Sequence, residues 1–437
     1  MTNYNGPERP EPLERAPRRE AMEAASLTAP QSINDTGLRK GLLEDLAVKS
    51  LFLGGEMTLV DLADRMCLGL APIEEIFQFL RKEQFCEVKG ITRGTHRIAI
   101  TAIGKSRAAE LLALNQYAGP APVTLMDYTL RVHSQSVQQT EIKDADLDRA
   151  FHELVLPDDL IARLGIAIVS GSSIFLYGPS GTGKTSIAVN IPKIFSDSVL
   201  IPHAVEVDNQ ITAVFDPGVH RPIDRRKVED ADRRWVLCQR PRVVAGGELS
   251  SEMLDLQFNP LSRFYTAPLQ MKANNGVLLL DDFGRQRMRP DELLNRWMTP
   301  LDRRMDYLSL AGGKKFAIPF DVCLVFATNL DPRQLADEAF LRRIPNKIKV
   351  DHATSEQFKE IFAQICATRL LSYDVGLPEY VVQQITREMK QPLCQCYPRD
   401  LIDQVIWAAA YQGVEPRLSR SAINQACRNY FLSLDAR

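Results

Sequence analysis

Residues 178–185 read Gly178-Pro179-Ser180-Gly181-Thr182-Gly183-Lys184-Thr185, and the reading of the whole chain turns on this octapeptide. It satisfies the pattern G-x-x-x-x-G-K-[ST] of a phosphate-binding loop. The apolar run Ser173-Ile-Phe-Leu-Tyr177 before it predicts a buried strand, and Ser186-Ile-Ala-Val-Asn-Ile191 after it predicts a helix that lasts until Pro192. A strand, a glycine loop and a helix N-terminus form a cradle in which backbone N–H groups and the helix dipole face an anion. Lys184 is placed to reach the β- and γ-phosphates, and the Thr185 hydroxyl to ligate Mg²⁺. The motif predicts a nucleoside-triphosphate site in an α/β domain.

Composition narrows the class. A chain of 437 residues holds two to four domains, and its formal charge of −2 provides no bulk attraction to nucleic acid or anionic lipid. No apolar run reaches the length of a membrane helix, and the polar, proline-bearing N-terminus lacks a signal-peptide core. The eight cysteines form no framework, and Cys394-Gln-Cys396 has no neighbouring Cys or His pair to complete a zinc site. Reduced thiols and a cytoplasmic setting follow.

Residues 1–37 carry five prolines, many charges and few large apolar groups, and are expected to be disordered. From Leu38 to 117 the pattern is helix, helix, helix, two strands joined by a glycine turn, and helix. Gly54-Gly55 stops the first helix, Thr58 caps the second and Ala71-Pro72 starts the third. This order resembles a winged-helix domain. The third helix opens Pro72-Ile-Glu-Glu, which phosphate would repel, although Lys89, Arg93, His96 and Arg97 on the hairpin keep DNA contact open beside protein docking. Residues 118–145, with Gly-Pro-Ala-Pro and a polar run, read as a linker. From 146 to 350 helix and strand alternate, and from 351 to 437 the signal is helical throughout.

Within that α/β region, Gly276-Val-Leu-Leu-Leu-Asp281-Asp282 is an apolar strand closed by two acids. On a buried parallel strand such acids emerge at the C-terminal edge, where α/β sheets bind ligands. Asp281 is expected to hold Mg²⁺ through water, and Asp282 to orient and deprotonate the attacking water. The strand Val322–Thr328 ends on Asn329, which is placed to share the water-positioning task.

Together with the later Ala339-Phe-Leu-Arg342-Arg343-Ile and Cys396-Tyr-Pro-Arg399-Asp-Leu, these motifs resemble the AAA+ ATPases over about 150–437. The resemblance implies a P-loop NTPase three-layer parallel sheet with an all-α lid, ATP and Mg²⁺ as cofactors, and a homo-oligomeric, hexameric ring. It makes Asn329 the first sensor, Arg399 the second, and Arg343 the arginine finger that reaches a neighbouring subunit's nucleotide, with Arg342 as the competing choice. Within the long stretch between Lys184 and Asp281, the segment from Val243-Val-Ala-Gly-Gly-Glu-Leu through Phe264-Tyr265 to Gly276 resembles the helix-2 insert of the MoxR-type branch. Leu308 to Ile318 reads as a β-hairpin turned on Gly312-Gly313.

In two respects the sequence departs from the family, the first being the separation of Lys184 from Asp281, long for a minimal core. Second, the catalytic acid is usually Glu, and here it is Asp282, one methylene shorter. Three functions follow: a ring-forming remodeller or chaperone acting on a protein client, a DNA-associated motor or regulator, and a slow nucleotide switch.

Overall fold

The computed structural model describes residues 28–223 and 231–431 and divides into two compact units. The larger unit is built on five strands: β1 (Ile174–Tyr177), β2 (Arg242–Ala245), β3 (Gly276–Leu280), β4 (Val322–Thr328) and β5 (Asn346–Lys349). All pair in parallel, in the order β2-β3-β4-β1-β5. The apolar runs read from the sequence are those expected of strands buried on both faces. Alternate side chains enter two separate cores. Ile174, Leu176, Leu279 and Val325 pack with the helical residues Leu164, Ile168 and Ile187. Phe175, Leu278, Leu280 and Phe326 pack on the other face with Leu294, Trp297 and Phe340. The result is a three-layer α/β sandwich, as expected.

The register sets the functional edge. Thr328 pairs with Tyr177, and Leu280 pairs with Phe326. Gly178, Asp281 and Asn329 therefore leave the sheet at the same end. Because β4 lies between β1 and β3, Asn329 emerges between the glycine loop and the acidic pair.

The helical region carries its own core, with Phe358, Phe362, Val381, Leu401, Ile402 and Ile423 fully buried. Its main helices are Ser355–Thr368, Leu377–Gln383, Tyr397–Gln412 and Arg420–Tyr430. The first is closed by a capping box in which Thr354 accepts from Gln357 and Gln357 reaches back.

The stretch 118–145 corrects the sequence reading. From Pro122 onward it belongs to the larger unit rather than forming a linker. Val123–Thr124 is the edge strand of a second five-stranded sheet, and Leu125–Ser134 is a helix. Asn274 donates to the hydroxyl of buried Tyr128 at 2.7 Å, and Ser136 and Val137 donate to the Asp321 carboxylate. Partners this distant in sequence leave no local signal. The rest of that second sheet comes from Ala204–Val207, Gln210–Ala213, Gln257–Phe258 and Tyr265–Thr266, and Met305–Ser309 pairs with Lys315–Pro319 as the expected hairpin. Within the insert Tyr265 is buried, and Phe264 lies edge-on to Tyr117 at 5.5 Å.

The smaller unit contains helices Lys40–Gly54, Leu59–Met66, Leu70–Lys82 and Ala102–Leu114, and strands Cys86–Thr92 and Thr95–Ile100. This order matches the sequence reading, with an added short strand, Met57–Thr58, on the hairpin. Thr58 caps the second helix by accepting from Asp61. Of the tail expected over 1–37, residues 1–27 lie outside the described residues. Residues 28–37 are built into the unit, with Ile33 and Thr36 buried and Thr28 bridged to Ala231.

Lys49 in this unit is 5% exposed, and burial lowers its ammonium pKa from 10.5 to about 8. The unfolded chain then binds more protons than the folded one between those values, so stability rises with pH across that window. Lys49→Met removes this titration and is expected to flatten the rise in stability between about pH 8 and about pH 10, as read by thermal denaturation at both pH values.

Candidate functional site: a phosphate cradle beside two carboxylates

The loop between β1 and the helix Lys184–Asn190 takes a shape that glycine alone accommodates well. Gly183 caps that helix at φ +83°, in the left-handed region. At Gly178, with φ +141°, a Cβ would stand 2.2 Å from the carbonyl oxygen of Val350. Lys184 is mostly buried, and its Nζ donates to the carbonyls of Gly178 at 2.9 Å and Pro179 at 2.6 Å. Thr182 donates to Pro179 as well, at 2.9 Å. Burial lowers the Lys184 pKa, while the nearby Asp282 and Asp281 charges act to raise it. A phosphate in this loop offers the ammonium charged acceptors in place of neutral carbonyls, a stronger class of hydrogen bond.

Across from the loop, the Thr185 hydroxyl donates to Asp281 Oδ1 at 2.9 Å. The same oxygen accepts from the backbone N–H of Asp282 at 3.0 Å. A hydroxyl beside a carboxylate supplies hard oxygen donors suited to Mg²⁺, which keeps waters and shares its coordination with substrate phosphates. Among the described residues no cluster of three His, Cys, Asp or Glu could hold a metal by itself. These residues fit a Mg²⁺ that arrives with a nucleotide, and such an ion neutralises phosphate charge.

Asp282 is exposed and has φ +48°, a left-handed conformation that Asp adopts more readily than most residues. Its turn is pinned from two sides. Gln286 accepts from Gly284 N–H and donates to the Asp281 carbonyl, both at 2.8 Å. Thr328 donates to the Phe283 carbonyl at 2.7 Å. Phe283 itself packs edge-on to Phe326 at 4.9 Å, which anchors the turn in the core. Gln286 was not anticipated from the sequence, although a polar residue soon after an acidic turn is the place to look for such a brace.

Ser180, Gly181, Gly183, Lys184, Thr185, Asp281, Asp282, Asn329 and Arg399 line one cleft of about 390 Å³. Arg399 lies in the first turn of the helix Tyr397–Gln412 and bonds Asp400 at 2.9 Å, which also accepts from the Tyr430 hydroxyl. The turn before it rests on the glycine loop, with Cys396 N–H donating to the Gly181 carbonyl at 3.3 Å. Leu154, Val155, Ile361 and Ile365 add an apolar wall to the cleft, and Gln364 adds an amide. Such a wall suits a flat base ring. Its residues come from two distant segments, and no motif marks them. A larger groove of about 550 Å³, lined by Gln404, Gln412 and Arg417 among others, has neither a glycine loop nor a carboxylate pair.

Arg343 lies outside the lining of this cleft. Its Nε donates to both carboxylate oxygens of Asp302, at 2.7 and 2.8 Å. Arg342 pairs instead with Glu338 at 2.8 Å, and both of those side chains are exposed.

Comparisons with known proteins match parts of the chain. The family described as a domain of unknown function (DUF8689) matches residues 354–429, within the helical region. No curated protein matches. Among solved structures, NtrX from Brucella abortus is 16% identical with a TM-score of 0.39, over 63% of this chain and 54% of that one. Domain III of the Thermotoga maritima replication initiation protein DnaA is 13% identical with a TM-score of 0.36, over 67% of this chain and 100% of that one. The Thermotoga maritima RuvB Holliday junction branch migration motor is 14% identical with a TM-score of 0.34, over 66% and 70%. This chain thus spans about half the length of NtrX.

Proposed function

We propose that the chain is an AAA+ ATPase of the MoxR-like kind, a homo-oligomeric and by resemblance hexameric ring that hydrolyses ATP to remodel a protein client. The observation that carries this reading is the convergence of Lys184, Thr185, Asp281, Asp282, Asn329 and Arg399 on one cleft. In this reading Gly178 to Thr185 hold the phosphates, and Thr185 and Asp281 hold Mg²⁺. Asp282 orients and deprotonates water, Asn329 helps to position it, and Arg399 couples the helical lid to the nucleotide. Arg343, outside the lining of its own subunit's cleft, acts on a neighbour's. The hairpin Met305–Ser309 with Lys315–Pro319 supports the MoxR-like branch.

The smaller unit, read as a winged helix, is assigned to client docking. Two of its hairpin cations are paired, Lys89 with Glu87 at 2.7 Å and Arg97 with Glu56 at 2.8 Å. Glu74 and Glu75 are exposed near the start of the Leu70–Lys82 helix, and Val88 and Ile91 are exposed on the hairpin. Exposed carboxylates at the helix start and exposed apolar residues on the hairpin fit protein better than a phosphate backbone, so the DNA-associated alternative takes second place. No helix among the described residues is long and apolar enough to cross a membrane.

Asp282→Asn tests hydrolysis against the slow-switch alternative. General-base catalysis contributes about 10²- to 10⁴-fold, so steady-state phosphate release should fall by about that factor with nucleotide binding retained. A variant as active as the wild type would overturn the assignment of Asp282.

A further inference from the structure

We infer that Asp302 is a positioning residue that aims Arg343 at the nucleotide of the neighbouring subunit. The inference rests on the proposed trans role of Arg343 and adds a residue that the motifs do not mark.

Asp302 sits in the last turn of the helix Pro290–Arg303. A carboxylate there opposes the helix dipole, which favours cations at a C-terminus. Such a placement is offset by a partner cation, and Arg343 is that partner. Both groups stand on fixed supports. The helix is held by Trp297, Leu293 and Leu294, all buried. Arg343 lies between Phe340 and Ile344, which are buried in the same core cluster.

The form of the contact separates aiming from masking. Arginine presents five N–H donors in a planar fork. Here Nε faces the Asp302 carboxylate, and Nη1 donates to the Ala339 carbonyl at 2.8 Å. A pair joined through Nη1 and Nη2 would turn the end of the fork into the carboxylate. With Asp302 on Nε, both protons of Nη2 and one of Nη1 stay available for a phosphate oxygen, and the plane of the guanidinium is fixed. The Arg343 side chain remains 26% exposed. Arg342 lacks such a support, since its pair with Glu338 is 75% and 84% exposed and solvent-facing pairs of this kind hold little geometry.

The test compares steady-state ATP hydrolysis, ring mass and melting temperature for wild type, Asp302→Ala, Asp302→Asn and Arg343→Ala. Misplacing a reacting group by about 1 Å costs up to about 10²-fold. Asp302→Ala should therefore lower kcat by roughly 10- to 100-fold, with KM for ATP and ring mass kept. Asp302→Asn retains an acceptor oxygen and should recover most of the loss. Turnover in Asp302→Ala equal to or above wild type, with Arg343→Ala inactive, would overturn the inference and leave the trans arginine standing. A fall in ring mass or melting temperature in both Asp302 variants would make the pair a structural strut and overturn it too. Wild-type turnover in Arg343→Ala would instead remove the reading on which the inference rests.

Discussion

Arg343→Ala is expected to lower ATP turnover by about 10³-fold or more while leaving ATP affinity unchanged. Two features motivate so large an effect. The charge that builds up on the transferring phosphoryl group is stabilised almost entirely by fixed cations and donors, and a trans arginine is among the largest single contributors. The cleft lining supplies only Lys184 and Arg399 as lysine or arginine among the described residues, so a further cation has to come from elsewhere. Because Arg343 does not line the cleft of its own subunit, its loss should leave binding untouched. Fluorescent-nucleotide titration beside phosphate release separates the two quantities. Loss of binding in parallel with turnover would contradict a trans role, as would retention of both.

Lys184→Ala is expected to weaken ATP binding by roughly 100-fold, about 2.7 kcal/mol. Lys184 is the one lysine in the lining, and its ammonium already lies against the loop carbonyls that frame the phosphate position. Hydrogen bonds between charged partners contribute about 1.5–3 kcal/mol each, so loss of the ammonium from a partly buried site accounts for a change of this size. The fold should persist, because the loop is shaped by its glycines and by the Thr182–Pro179 bond. Equilibrium titration with a fluorescent ATP analogue, with circular dichroism as the control for folding, reads the effect. Wild-type affinity in this variant would move the nucleotide site away from the glycine loop.

Much of the larger unit was legible from local pattern. An apolar run ahead of the glycine loop identified β1, and apolar runs ending in polar residues identified β3 and β4, because a strand buried on both faces admits no alternation. The glycine loop, Asp281, Asp282, Asn329 and Arg399 were legible because each stands at a strand end or helix start whose position the pattern already sets. What stayed hidden depends on partners far away in the chain. Tyr128 and Asp321 draw the 122–145 stretch into the larger unit, yet Gly-Pro-Ala-Pro and a polar run give it the local look of a linker. The Asp302–Arg343 pair spans 41 positions, and an acid at a helix end reads as ordinary surface until its partner is known. The apolar wall of Leu154, Val155, Ile361 and Ile365 is likewise assembled only by folding. The strands of the second sheet are two to four residues long, too short for a period to register.

In the proposed ring, hydrolysis requires a cleft completed by a neighbouring copy. The direct measurement is ATP turnover per subunit against protein concentration with Mg²⁺, beside light-scattering mass on the same samples. Turnover per subunit is expected to rise with concentration in step with the appearance of a ring. A turnover per subunit that is constant down to concentrations at which the scattering mass is that of a monomer would contradict it.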